Sequence, residues 1–297
     1  MGFPALQHPL DWSTQWWNIL LGRRVEEKED GWLLGPIGVI GESPEQFVRR
    51  VAEEHGLRAR EGLARGGLVE DVGAWGLLLA KGVAAFYRNT SEFELHARSL
   101  WKPGFGSLES LAVRLFSRRL QQLNLPLGDA ASDVVLANEI IKLVDAQGRT
   151  VFTVWCRRVK GSPRMALYGL YGLCRVPSGE VCVKAVYPLP EGSATVLFRI
   201  QADGEGNLDL VSEGRTYGDP GFYFLVRDGG GTYWKHYLPS FRERIRVVES
   251  AEGDLTATHS MTLSSMRICS ILYKLRPLCA GEATQPIGPR ARSDAAT

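Results

Sequence analysis

The sequence predicts an α+β protein: an N-terminal helical segment packed on a large antiparallel β-meander that curls into a barrel or strongly curved half-barrel. Three observations carry this. From about residue 133, runs of Val, Ile, Leu, Tyr, Phe and Thr alternate with short Gly-, Pro-, Asp- or Ser-containing turns. Those turns are too short for the crossovers that parallel strands require, so neighbours in sequence pair antiparallel. Helical signals are confined to the first 130 residues or so.

The strand runs fall near 134–144, 149–160, 164–176, 180–188, 193–202, 207–213, 221–227, 232–238, 242–250, 254–263 and 266–276. Between them lie hairpin residues: Ala146-Gln147-Gly148, Pro177-Ser178-Gly179, Glu191-Gly192, Gly204-Glu205-Gly206, Asp228 to Gly231 and Glu252-Gly253. A sheet of this many strands leaves unpaired edges unless it curls or closes. No internal repeat is visible, which argues against a propeller. By strand count alone the architecture is lipocalin-like, although a Gly-x-Trp signature on an early strand is not evident. Fold does not fix function.

The expected division is a Trp-rich helical segment over 1–130 (a lid or small subdomain), a barrel-like domain over 131–278 and a polar, disordered tail over 279–297. Trp12, Trp16 and Trp17 read as a docking segment, because such rings are costly to leave in water. Leu33 to Ile40 is an edge strand or extended cover. Ser43-Pro44-Glu45-Gln46 is a capping box with proline at the first helical position, Phe47, Val48, Val51 and Ala52 form an apolar stripe, and Gly56 ends that helix. A second helix is expected over roughly Leu68 to Phe86, and a third from Ser107 to about Leu123, with Arg114, Arg118 and Arg119 on its solvated side. Periodicity leaves Phe93 to Leu100 undecided between strand and helix.

Composition excludes several classes of function. The 297 residues are 44% apolar and 23% charged, with a net charge of +2. That balance does not support binding to nucleic acid or an anionic membrane, which rests on concentrated Lys and Arg. The most apolar stretch, Gly73 to Tyr87, is too short to span a bilayer and contains Lys81. With no secretory signal, and five cysteines (Cys156, Cys174, Cys182, Cys269, Cys279) lacking paired spacing, the expected location is the cytoplasm, with buried free thiols. There is no P-loop, dinucleotide-binding fingerprint or nucleophile elbow, and the five histidines lack metal-ligand spacing. The expectation is therefore no cofactor and no metal.

What remains is polar chemistry threaded through the meander. Strand alternation places Leu255, Ala257, His259, Met261 and Leu263 on one face, and Glu243, Ile245 and Val247 on the matching face of the preceding strand. A turn at Glu252-Gly253 sets those strands opposite each other, which brings Glu243 near His259. A buried Glu–His pair either works as a general acid–base unit or satisfies its own hydrogen bonds. Arg157 shares a face with Val151, Thr153 and Trp155, and an inward Arg would seek an anionic ligand or a Glu partner. Tyr171, Tyr223, Trp155 and His236, with Tyr168, Tyr187, Tyr233 and Trp234, are candidate cavity walls or ordinary packing. Arg242, Arg244 and Arg246 form a basic stripe, expected to salt-bridge across to Asp254 or Glu249.

These features support three readings. The first is a barrel that holds a hydrophobic small molecule, with any enzymatic activity being that of a cofactor-independent cyclase, isomerase or hydratase using Glu243 and His259. The second is a non-catalytic carrier with the same cavity. The third is a protein-interaction module with a filled barrel. Ligand identity and oligomeric state are not legible.

Overall fold

The computed structural model describes residues 9–39, 41–60, 66–68, 78–102, 133–162 and 165–278. The expected helix over 107–123, residues 69–77 of the expected second helix and the tail from 279 lie outside them. Near the N-terminus come α1 (Pro9–Leu21), β1 (Arg23–Arg24), α2 (Glu27–Asp30), α3 (Pro44–Glu54), β2 (Arg58–Arg60) and α4 (Lys81–Arg88). The undecided segment is strand β3 (Phe93–Trp101). Then follow β4 (Val134–Val144), β5 (Thr150–Val159), β6 (Met165–Arg175), β7 (Val181–Leu189), β8 (Gly192–Ala202) and β9 (Leu208–Ser212). The last five are β10 (Gly221–Arg227), β11 (Tyr233–Tyr237), β12 (Phe241–Glu249), β13 (Leu255–Leu263) and β14 (Met266–Pro277).

Hairpin chemistry explains why these strands start and stop where they do. Gly148, Gly179, Gly206, Gly231 and Gly253 all have positive φ, as such turns demand, and Glu191 occupies the same region at φ 54°. The strands from β4 onward match the alternating runs to within one or two residues at each end.

Ten strands close into an antiparallel barrel. The order is β8-β7-β6-β5-β4-β3-β14-β13-β12-β9, and β9 returns to β8 through Arg199↔Val211 to Ala202↔Leu208. Ten staves exceed the eight of a lipocalin. The pairing is not a consecutive meander throughout, because β8 forks. Its first half, Gly192 to Leu197, bonds β10, while Arg199 to Ala202 bond β9. Hydrogen bonding at one edge is exclusive position by position, so the β10–β11 hairpin, extended by β1, branches away as an outer ribbon. Strand β12 therefore pairs with β9. Strand β3 sits between β14 and β4, so residues 93–101 form part of the barrel wall.

The fork also redirects the arginine stripe. Arg244 makes a two-pronged contact with Asp209 (2.8 and 2.9 Å), Arg246 reaches Asp209 and Asp203, and Arg242 reaches Glu213. The acids lie on or beside β9. Asp254 and Glu249, the partners expected from the hairpin alone, are not used for these pairs among the described residues.

Helix α3 covers the outside of the wall. Ser43 Oγ accepts from the Gln46 amide (3.2 Å), and the Gln46 side chain accepts from the Ser43 amide (2.8 Å), completing the capping box. At the other end Gly56 has φ 61°, and the bonds Leu57 N–H to Ala52 O and Gly56 N–H to Glu53 O make a Schellman close. The stripe Phe47, Val48 and Val51 is buried against Val154, Tyr168 and Leu170. Helix α1 lies on the outer ribbon, with the Trp17 ring 6.2 Å from Phe224 and 4.6 Å from His236. The side chain of Trp12 lies outside the described part.

The second expected helix is shorter than its apolar pattern suggested. Leu68 and residues 78–80 are not helical, and α4 begins only at Lys81. Ala80 has extended ψ and no capping side chain of its own. The cap comes from 167 residues away: Glu249 Oε2 accepts the Gly82 amide at 2.8 Å, placing a carboxylate on the helix N-terminus. Glu249→Ala is expected to cost about 1 kcal/mol, typical for losing a cap. Urea denaturation midpoints, with faster amide exchange in the first turn of α4, would check it. Val83, Phe86 and Tyr87 join the barrel's interior core, which a helix can reach only through an open end, so α4 acts as a stopper. Among the described residues no helix is long and apolar enough to cross a membrane.

Candidate functional site

The polar centre begins with the β12–β13 hairpin. Its register pairs Glu243 with Met261 and Ile245 with His259, so Glu243 and His259 are diagonal neighbours on the inner face. Their side chains meet, with His259 Nε2 and Glu243 Oε2 2.6 Å apart and both groups largely buried. The alternation holds for Leu255 and Ala257, which are buried, while Leu263 at the strand end is exposed.

Across the interior, β5 turns Thr153, Trp155 and Arg157 inward. Arg157 is 7% exposed, and its guanidinium lies 4.1 Å over the Trp155 ring. One Nη donates to the Tyr171 hydroxyl (3.0 Å), which is 2.9 Å from the Tyr187 hydroxyl. Trp155 is itself held in place, since its Nε1–H donates to Asn138 Oδ1 (2.9 Å) and Asn138 donates to the Phe93 carbonyl (2.8 Å). Gly169 lies opposite Trp155. A Cβ there would sit 3.0 Å from the Tyr187 ring, a tight contact that the glycine avoids.

Burial pushes the Tyr187 hydroxyl well above its ordinary pKa of 10 and that of Tyr273 to about 12, so both are neutral donors at physiological pH. For Arg157, burial works against the charge but the surrounding tyrosine oxygens outweigh it, and the net direction is upward.

These groups surround a cavity of about 110 Å³ inside the barrel. Arg157, Tyr171, Tyr187, His259, Tyr273 and Trp155 supply its polar and aromatic wall, and Leu68, Phe86 and Tyr87 contribute from the stoppered end. Glu243 is not itself among the lining residues; it contacts His259. The volume is below the roughly 300–1,000 Å³ of pockets that take drug-sized ligands. It is nearer the apolar cavity of about 150 Å³ that admits benzene.

No family model, curated protein or solved structure matches this chain. The reading of the site therefore rests on its own geometry.

Two of the residues expected in the site lie elsewhere. Tyr223 is fully buried, but in the outer cluster with Leu33, Leu197 and Cys182. Its hydroxyl donates to the Asp219 carbonyl (2.5 Å) and accepts from the Gly218 amide (3.1 Å). His236 lies under α1, with Nδ1 3.0 Å from Asn18 Oδ1. Both are on the ribbon that branches at β8, a departure invisible to local alternation. Conversely, Asn138, Tyr273 and the α4 residues belong to the centre without having been singled out. For Tyr273 a signal existed, because Cys269, Ile271, Tyr273 and Leu275 alternate with Lys274 and Arg276 along β14. For Phe86 and Tyr87 none did, since entry through a barrel end is a tertiary event. Cys156, Cys174, Cys182 and Cys269 are free thiols. Among the described residues no three His, Cys, Asp or Glu side chains are grouped as metal ligands would be.

Proposed function

We propose that the barrel interior binds a small, largely apolar molecule, and that Glu243 and His259 serve it as an acid–base pair in a cofactor-independent isomerase-, cyclase- or hydratase-type reaction. The observation that carries this reading is the 2.6 Å Glu243–His259 contact with His259 on the cavity wall. In the tautomer that donates Nε2–H to Glu243, Nδ1 is the ring nitrogen left for proton transfer. That is the arrangement in which one group transfers protons and a second orients it and stabilises the imidazolium. Apolar walls exclude water and hold the ligand in one conformer, so part of the entropic cost of reaction is met at binding. Neutral tyrosine hydroxyls and Arg157 stand ready to stabilise negative charge as it develops.

Native mass spectrometry of freshly purified protein tests the binding half, with a retained metabolite as the expected result. Turnover of that metabolite by the wild type, Glu243→Gln and His259→Ala tests the chemistry. Glu243→Gln is expected to lower kcat by about 100-fold, within the usual range for acid–base groups, with affinity little changed. Unchanged turnover and affinity in both variants would remove the pair from the mechanism. Retention of the metabolite without turnover in the wild type would make the protein a carrier.

A further inference from the structure

Arg157 is an anomaly that the acid–base pair does not explain. It is more than nine-tenths buried, yet no Asp or Glu forms an ion pair with it among the described residues. Glu243, the inward carboxylate, is engaged by His259. Among the described residues Arg157 Nε is buried with no hydrogen-bond acceptor, and the groups around the guanidinium are a tryptophan face and phenol hydroxyls. A guanidinium cannot shed its proton, so burying it without an anion is costly unless something else supplies the charge. A purely structural role would be met better by an apolar residue of the same size, which carries no charge to desolvate.

We infer that the cavity ligand is a small monocarboxylic acid whose carboxylate ion-pairs with Arg157 inside the barrel. The Nε has no acceptor among the described residues and suits one supplied by a ligand, and a carboxylate matches the planar fork of a guanidinium. One buried cation is balanced by a single negative charge, which a carboxylate carries and a phosphate monoester exceeds. The phenols add donors in a definite direction. Arg157 donates to Tyr171, so Tyr171 can pass its own hydrogen to Tyr187, and the chain ends on a Tyr187 O–H free to donate to the ligand. The apolar remainder of the acid would lie along Leu167, Val183, Phe198 and Ile271. The volume of about 110 Å³ limits that remainder to a short chain or a single small ring. This inference rests on the reading of the cavity as a ligand site.

The test compares propionate, butyrate, hexanoate and benzoate with the corresponding primary alcohols by isothermal titration and thermal shift, and includes inorganic phosphate. Wild type is expected to bind the best carboxylate at least about tenfold more tightly than its alcohol, the range of a hydrogen-bonded charge. Arg157→Met should bind the two series equally and, without ligand, should melt no lower than wild type. Arg157→Lys keeps the charge without the fork and should lose most of the carboxylate preference at unchanged alcohol affinity, which reads the question even if the Met variant does not fold. Alcohols binding as well as carboxylates would overturn the inference while leaving the cavity reading in place. Binding of neither series would remove both. Phosphate binding above all carboxylates, or an unliganded Arg157→Met melting more than about 3 °C lower, would overturn the assignment of Arg157 to a monocarboxylate.

Discussion

Asp30→Asn is expected to destabilise the protein by about 3–5 kcal/mol, the cost of stripping a buried cation of its counter-ion. Asp30 is 1% exposed and accepts from Lys235 Nζ at 2.5 Å, from the Tyr217 hydroxyl at 2.5 Å and from the Glu26 amide at 2.7 Å. Lys235 is also buried, and apart from Asp30 its ammonium has the face of the Tyr217 ring. The pair fastens α2 and the segment after it to the outer ribbon, beside the buried Leu33 and Tyr223. Adding Lys235→Met to Asp30→Asn should recover part of the loss, because an uncharged pair leaves no buried ion. Urea denaturation of the two single variants and the double variant measures the coupling directly.

The same carboxylate carries a pH signature. Burial raises its pKa, but the bonds from Lys235, Tyr217 and Glu26 outweigh burial and hold it below the ordinary carboxylate value. A depressed folded-state pKa means that the unfolded chain binds more protons, so stability rises with pH through this interval. The contribution is complete above the unfolded pKa of about 4 and is lost as pH falls through the folded value. Asp30→Asn should therefore flatten the acid limb of the stability profile as well as lower its plateau. An unchanged acid limb would mean that the carboxyl has the same pKa in the folded and unfolded states.

Phe47→Ala is expected to cost a comparable 3–5 kcal/mol, the usual range for removing a fully buried aromatic ring. Phe47 is 0% exposed, its ring centroid is 5.6 Å from that of Tyr168, and the Arg50 guanidinium lies 5.5 Å from it. The residue is the largest member of the α3 stripe. Beneath it, Val154, Cys156, Met165 and Leu170 would otherwise face water on the outside of the wall. Calorimetry should show a lower Tm, and amide exchange should show α3 losing protection before the barrel strands. Equal loss of protection in β13 and β14, which α3 does not touch in this cluster, would mean that helix and barrel unfold as one unit.

The site was partly legible because part of it is local. Glu243 and His259 are sixteen residues apart on a single hairpin, and a hairpin's register follows from its turn. On β5 both faces are apolar, so the alternation grouped Trp155 with Arg157 but left open which face points inward; the structure turns theirs to the cavity. For Tyr223 and His236 the alternation left the face open, and neither lies on the wall of the cavity described above. Their hairpin branches from the first half of β8 and leaves the wall, and its two faces meet different partners: Tyr223 packs toward Leu33, and His236 on the opposite face meets α1. Arg244 and Arg246 illustrate the same limit. Their charge and face were evident, while their acidic partners lie across a pairing with β9 that no short turn encodes.

The sequence alone thus determined where the strands from β4 onward begin and end, which side chains alternate together and which hairpin neighbours touch. These are settled by turn geometry and by burial energies acting within a few residues. Only the tertiary structure decided that β3 completes the wall, that β8 forks, that Glu249 caps α4, and that the enclosed space is small and carries an arginine whose Nε has no acceptor among the described residues. Closure is a competition among distant edges for the same backbone hydrogen bonds. Its outcome depends on which pairing buries the most surface at the least loop entropy, a balance no local pattern contains.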